Sequence, residues 1–157
     1  MPMNSEKLKE YSGLLCRIIT GGIFAISGIT KALASAEMLI WQFSGLGLPD
    51  FACYALAYTL PYIEIAAGLF LITGLFMPFP ALLLTAGLAI HEILLLQALL
   101  RGLYSASFPY FGPFMAHSIS QEIFQNVLTI LRLYPAVMSG KDLTLDKIIE
   151  KNLPRRI

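Results

Sequence analysis

The sequence predicts an all-α membrane protein: a polytopic four-transmembrane-helix bundle with N and C termini cytoplasmic, followed by an interfacial helix. Three observations carry this expectation. Of 157 residues, 57% are hydrophobic and only 13% charged, where soluble domains carry about 25% charged residues. The apolar residues gather into runs at about 11–33, 51–76, 81–100 and 118–137, each long enough to cross a hydrocarbon layer of roughly 30 Å at about 1.5 Å per residue. The cations collect toward the chain ends: Lys7, Lys9 and Arg17 at one, Arg132, Lys141, Lys147, Lys151, Arg155 and Arg156 at the other. Lys31 and Arg101 are left for the outer side. An even number of spans with both ends inside satisfies the positive-inside rule. Residues 1–138 therefore read as the membrane domain and 139–157 as a cytoplasmic tail.

In the first span, Arg17, Gly21, Phe24, Gly28 and Lys31 recur at spacings of four, three, four and three, which places them on one helix face. Glycines there let a neighbouring backbone come close. The two cations sit toward opposite ends, where Arg17 is expected to snorkel to the headgroups; for Lys31, snorkelling and an inward orientation are equally open. A cleavable signal peptide is the rival reading, because Ala34-Ser35-Ala36 resembles a small-residue cleavage site. The interrupting Arg17 and Lys31, and the full span length, argue against it.

Residues 34–50 are apolar for a connection, with Met38, Leu39, Ile40, Trp41 and Phe43, and are expected to lie in the interface with Trp41 as an anchor. Gly45-Leu46-Gly47-Leu48-Pro49 breaks any helix before the second span. That span holds Pro61, which frees a carbonyl near Ala57, and Glu64. An acid at mid-membrane costs roughly 2.5–3.5 kcal/mol on insertion scales, so Glu64 is expected to face a partner charge, a cavity or a ligand. A structural ion pair between helices is the plain alternative. Ala57, Pro61, Glu64 and Gly68 share a stripe.

Met77-Pro78-Phe79-Pro80 is a tight turn, which makes spans two and three antiparallel neighbours. The third span holds His91 and Glu92, whose side chains point about 100° apart. One is expected inward and the other toward a second helix or a subunit contact. A neutral His bonded to a carbonyl is the plain alternative. Leu95 stands where a zinc-protease motif needs its second histidine, and no His/Cys cluster has zinc spacing, so no metal is expected. Residues 101–117 carry Tyr104, Phe108, Tyr110, Phe111 and Phe114, rings suited to an interfacial belt or to the mouth of a pocket for a flat ligand.

The fourth span has a polar stripe of Gln121, Glu122, Gln125, Asn126, Thr129 and Arg132. Such a stripe must face the bundle interior or water. Gly140 is a C-cap signal, and residues 143–153 read as a short amphipathic surface helix. Net charge is +1 with no basic-aromatic pattern, which excludes nucleic acid as a partner. Cys16 and Cys53 form no CxxC and read as small apolar packers near opposite membrane faces, too far apart for a disulfide.

Set on a common bilayer centre, Glu64, His91, Glu92, Asn126 and Thr129 fall at similar depth, with Lys31 and Glu122 toward the outside and Arg132 toward the inside. Glu64, His91 and Glu92 are the candidate catalytic or proton-carrying groups. Arg17, Lys31, Glu122, Asn126 and Arg132 are the candidate ligand-binding or polar-core groups. Proton relay, a quinone headgroup site and a structural hydrogen-bond core all fit such an interior.

The motifs Arg17, Phe24-Ala25-Ile26-Ser27-Gly28-Ile29-Thr30-Lys31, Gly47-Leu48-Pro49, Pro61-Tyr62-Ile63-Glu64, Gly68-Leu69-Phe70-Leu71-Ile72-Thr73-Gly74 and Gln125-Asn126-Val127-Leu128 occur in that order. In this the chain resembles the DoxX-like superfamily, which includes the MauE branch. The resemblance covers most of the membrane portion and implies four membrane helices. It also implies one of several roles: a subunit linked to quinone reduction, a membrane partner of thiol-redox systems, a factor for methylamine dehydrogenase maturation, or a cargo or receptor chaperone. The chain departs from the MauE pattern at Ser105-Ala106-Ser107-Phe108, with Gly112 displaced, where a Cys-x-Cys-Phe-Gly segment is common. Serine neither forms a disulfide nor relays electrons, so thiol exchange by this segment is not expected. Gln125 stands where an arginine often precedes the asparagine.

Two functions follow as expectations. The first is an integral membrane subunit of a quinone- or thiol-linked redox system, in a bacterial inner membrane, with a polar intramembrane site. The second is a non-enzymatic assembly factor whose polar interior only holds the bundle together. Beyond the bilayer, a protein partner or a homo-oligomer is expected. A small transporter is a weaker third reading, because four helices are few for that task without oligomerisation.

Overall fold

The computed structural model describes residues 5–103, 110–111, 118–138 and 144–152. All regular structure in them is helical: α1 Ser5–Leu33, α2 Ala36–Gly45, α3 Asp50–Thr73, α4 Phe79–Leu100, α5 Ile119–Met138 and α6 Leu145–Asn152. The all-α expectation holds. Glu10–Leu33, Asp50–Thr73 and Phe79–Leu100 are each long and apolar enough to cross a membrane. Helix α5 spans 20 residues, but its polar stripe dilutes its hydropathy.

Small residues set the closest helix approach. A Cβ added to Gly21 of α1 would lie 2.6 Å from the Gly68 carbonyl oxygen of α3, and one added to Gly28 would lie 2.5 Å from the Pro61 carbonyl oxygen. The glycine face of α1 thus lies on the Pro61–Gly68 stripe of α3, backbone against backbone. Helix α5 packs on α1 and α4, and α2 packs on α3. Two apolar clusters flank the centre. One is built on Leu39, Phe43, Leu46, Cys53, Ala57 and Leu95; the other on Phe24, Leu71, Leu84, Leu88, Tyr110 and Leu133. Outside, Ile26, Tyr58, Tyr62, Ile90, Ile93, Phe124 and Leu131 are exposed. That greasy exterior is suited to contact with acyl chains.

Several expectations are corrected. Residues 36–45 form a helix rather than a loop, with Leu39 and Phe43 buried; Trp41 faces outward as expected, at 75% exposure, with Met38 exposed beside it. The second span ends at Thr73 rather than near Phe76, because Gly74 takes the left-handed conformation (φ 69°) and caps the helix. Arg17 does not snorkel outward. It is fully buried, with its guanidinium beside Gly74 and Thr144, at the end of α3 where helix carbonyls present negative partial charge. Nearby, the Asp146 carboxylate of α6 accepts the backbone N–H groups of Phe76 (3.1 Å) and Met77 (3.0 Å), fastening α6 to the α3–α4 turn. Both cysteines are free thiols.

Candidate functional site

The site grows from α1 and α3. One turn beyond the Gly28–Pro61 approach, Lys31 Nζ donates to both carboxylate oxygens of Glu64, at 2.6 and 2.9 Å. Glu64 is 1% exposed and Lys31 6%. A long cation and a carboxylate this well sealed are held only by mutual pairing with further hydrogen bonds. Ser27, one turn before Lys31, supplies one: its hydroxyl lies 3.1 Å from Glu64 Oε2 and 3.3 Å from the Tyr110 carbonyl oxygen, with one proton to give to either.

Tyr110, in the connection between α4 and α5, is the hub. Its backbone N–H donates to Glu122 Oε1 at 2.5 Å. Its ring lies 4.1 Å beneath Lys31 Nζ, a cation–π contact. Its phenol hydrogen-bonds the Glu64 carboxylate. Burial, with that carboxylate alongside, pushes the phenol well above its ordinary range, so it serves as a donor. Phe24 and Phe111 stand edge-on around it, the two rings 5.4 Å apart and Phe111 5.1 Å from Tyr110.

The α4–α5 side adds a second group. His91 stacks edge-on to Tyr110 with ring centres 4.8 Å apart, and its Nε2 stands 3.8 Å from Glu122 Oε1. Asn126 Nδ2 lies 3.4 Å from His91 Nδ1. His91 is the inward member of the His91–Glu92 pair, buried against Asn126 and Glu122, and Glu92 beside it is half-buried. Lys31 and Glu64 cancel in charge, so Glu122 remains as a second buried carboxylate with His91 as the base beside it.

An apolar cleft of about 90 Å³ borders this centre. Phe43, Leu56, Leu60, Ile90 and Leu94 line it together with His91 and Tyr110.

Residues 9–134 of the chain match the protein family described as methylamine utilisation protein MauE. The chain belongs to the MauE family. No curated protein and no solved structure matches it.

Within this MauE-family bundle, Glu64, Lys31, His91, Glu92, Glu122 and Asn126 come together, and Thr129 is buried next in line. Arg17 lies apart, at the other end of α3. Arg132 is exposed, so it lies outside the cluster. Among the aromatics of 101–117, Tyr110 packs into the core and not into a surface belt; Tyr104, Phe108 and Phe114 lie outside the described residues, as do Ser105-Ala106-Ser107 and Gly140. Sequence reasoning missed Ser27 and Tyr110 as site residues. Ser27 was legible, three residues after Phe24 and four before Lys31 on the same face. Tyr110 had no periodicity to announce it. Among the described residues, no group of three His, Cys, Asp or Glu side chains could hold a metal ion.

Proposed function

We propose that this MauE-family chain is the membrane subunit of a quinone-linked redox system, in which the buried cluster handles protons for a lipid-soluble quinone. It is read as four-span, with both termini cytoplasmic, in a bacterial inner membrane beside a protein partner. The observation that carries this reading is the apolar cleft, whose lining combines aliphatic side chains with the His91 and Tyr110 rings. The residues present fit such a molecule. The walls suit an isoprenoid chain. His91 and the Tyr110 ring suit a flat head, and the cleft's volume admits an edge of the molecule while the rest lies in the bilayer. A quinone bound there would supply two-electron, two-proton redox chemistry.

The protein's own share is positioning and proton supply. Tyr110 and Lys31 are donors. Glu64 holds Lys31 in place, and Glu122 with His91 can store a proton away from water. Helix α5 supports the four-span reading: Glu122, Asn126 and Thr129 point inward, and Phe124, Val127, Leu131 and Tyr134 are exposed. Thiol exchange within the chain lacks support, since Cys53 sits in the apolar core and its Sγ donates to the Leu48 carbonyl at 3.5 Å.

The test is extraction of the protein from quinone-containing bacterial membranes, with bound quinone quantified. Wild type is expected to retain it, and Leu60→Trp, which fills the cleft without touching the charges, is expected to lose it. Wild type without quinone, together with unchanged quinone-dependent electron transfer in Glu64→Gln membranes, overturns the reading. One observation favours a second reading, an assembly factor for methylamine utilisation: the family's own description. Crosslinking that recovers a reproducible client, with no bound quinone, would select it.

A further inference from the structure

We propose that the free face of α3 is a self-association surface, on which Tyr62 of one chain donates a hydrogen bond to Thr59 of a second copy within the membrane. The inference does not depend on the quinone reading.

Helix α3 is long and apolar enough to cross a membrane, and it buries one side, from Cys53 through Pro61 and Glu64 to Leu71. The other side carries Tyr62 at 65% exposure, with Ala55, Thr59 and Ala66 exposed around it. Tyrosine belongs at the membrane–water interface, where the ring is in apolar surroundings and the hydroxyl is wet. Tyr54, near the start of the span, meets that condition. Tyr62 does not. It stands near the middle of Asp50–Thr73, roughly 17 Å from either end at about 1.5 Å per residue. A stiff ring cannot carry its hydroxyl that far, as a lysine stem can. The proton therefore sits at the level of hydrocarbon, where no water takes it. Among the described residues, none in the chain takes it either.

Thr59 supplies what is missing. Its hydroxyl spends its proton inside the helix, on the Ala55 carbonyl at 2.7 Å, which leaves Oγ1 as an outward acceptor. Thr59 lies three positions before Tyr62 on the same face, and helix side chains lean toward the N-terminus. The Tyr62 ring thus reaches the level of Thr59 without bonding it in its own chain. A second copy, related by a two-fold axis along the membrane normal, sets α3 beside α3 with every residue at the same depth. Tyr62 of each chain then meets Thr59 of the other, and both bonds form at once. Ala55 and Ala66 let the backbones come close enough. An acyl chain offers no acceptor at this depth; a second copy brings one by symmetry.

The test is the oligomeric state of the full chain in phosphatidylcholine vesicles at falling protein-to-lipid ratios. Subunits are counted by single-molecule photobleaching, with one fluorophore at each N-terminus. Wild type is expected to form dimers that dissociate on dilution. Tyr62→Phe keeps the ring and removes the proton; losing two modest intramembrane bonds is expected to raise the dissociation constant about tenfold. Thr59→Val, similar in shape but without the acceptor, is expected to match it, and the double variant to add nothing further. Ala66→Trp is expected to abolish the dimer, while Leu131→Trp, on the exposed side of α5, leaves it intact. Wild type that stays monomeric at every ratio overturns the inference, whether acyl chains or another protein's helix cover the face. So do dimers that neither Tyr62→Phe nor Thr59→Val weakens, and dimers that Ala66→Trp spares. Bound quinone is read separately, so either reading can fail while the other stands.

Discussion

Lys31 and Glu64 meet because Gly28 and Pro61 do. Each charged residue lies three positions beyond a small or ring-closed residue of its own helix, and the backbone contact there leaves the two side chains facing at 2.6 Å. The pair is a consequence of how α1 and α3 approach, and it neutralises the charge that the approach buries.

A stability and activity cycle separates structural from functional roles for this pair. Removing one partner strands a charge in a sealed site, a loss of about 3–5 kcal/mol in comparable buried pairs. Lys31→Met and Glu64→Leu alone are each expected to lower the unfolding midpoint in detergent sharply. Replacing both with apolar side chains of similar volume is often neutral or stabilising, so the double variant is expected to recover most of the loss. If the pair serves quinone chemistry, that stable double variant is still inactive in quinone-dependent electron transfer. A stable and fully active double variant would reduce the pair to a strut.

The spacing rules made the α1 and α3 half of this cluster readable. Arg17, Gly21, Gly28 and Lys31 shared a face, Pro61, Glu64 and Gly68 shared another, and the cost of an acid in hydrocarbon demanded that those faces meet. The stripe on α5 was readable for the same reason in Glu122, Asn126 and Thr129. Arg132 was not separable from them by spacing, because it lies at the edge of the stripe: the buried face runs from Thr129 to Leu133 and Ala136, one position past Arg132. Arg17 was misread since snorkelling depends on what covers the helix end, and Gly74 and Thr144 come from distant parts of the chain. Tyr110 sits in an irregular connection, where period carries no information, and only three-dimensional packing shows that its backbone and ring join two carboxylates.

The helix contact can be tested through its glycines. Gly68→Val is expected to destabilise the bundle, because a Cβ there would stand 2.7 Å from the Gly21 carbonyl oxygen and 2.8 Å from the Ala25 nitrogen. Backbone cannot swing aside as a side chain can, and overpacking of this kind costs about 1–3 kcal/mol. Gly22→Ala is the control: its Cβ would meet nothing within 4 Å, and replacing glycine in a helix gains up to about 1 kcal/mol. Thermal unfolding in a fixed detergent should move in opposite directions for the two. Equal shifts would mean that α1 and α3 are farther apart than described.

Tyr110→Phe tests the hub with one atom. The variant keeps the ring under Lys31 and the backbone N–H on Glu122, and removes the hydroxyl that bonds Glu64. Loss of a hydrogen bond to a charged acceptor costs roughly 1.5–3 kcal/mol. The expected outcome is a moderate fall in stability, far smaller than for Glu64→Leu. If Tyr110→Phe matched Glu64→Leu in severity, the phenol would have to support more than the Glu64 carboxylate.

Asp146 makes the last prediction, at the opposite end of the bundle. Its two carboxylate oxygens take the N–H groups of Phe76 and Met77, donors in the turn between α3 and α4 that belong to neither helix. Phe76 has positive φ (56°), a conformation that a bulky residue adopts only when its surroundings hold it. Asp146→Ala removes that hold. Hydrogen exchange at residues 76–77 and across α6 is therefore expected to quicken together, while exchange in the middle of α1 and α3 stays at its wild-type rate. Asp146→Asn keeps one acceptor and should fall between. Faster exchange confined to α6, with residues 76–77 unchanged, would show that the turn is held by something other than this carboxylate.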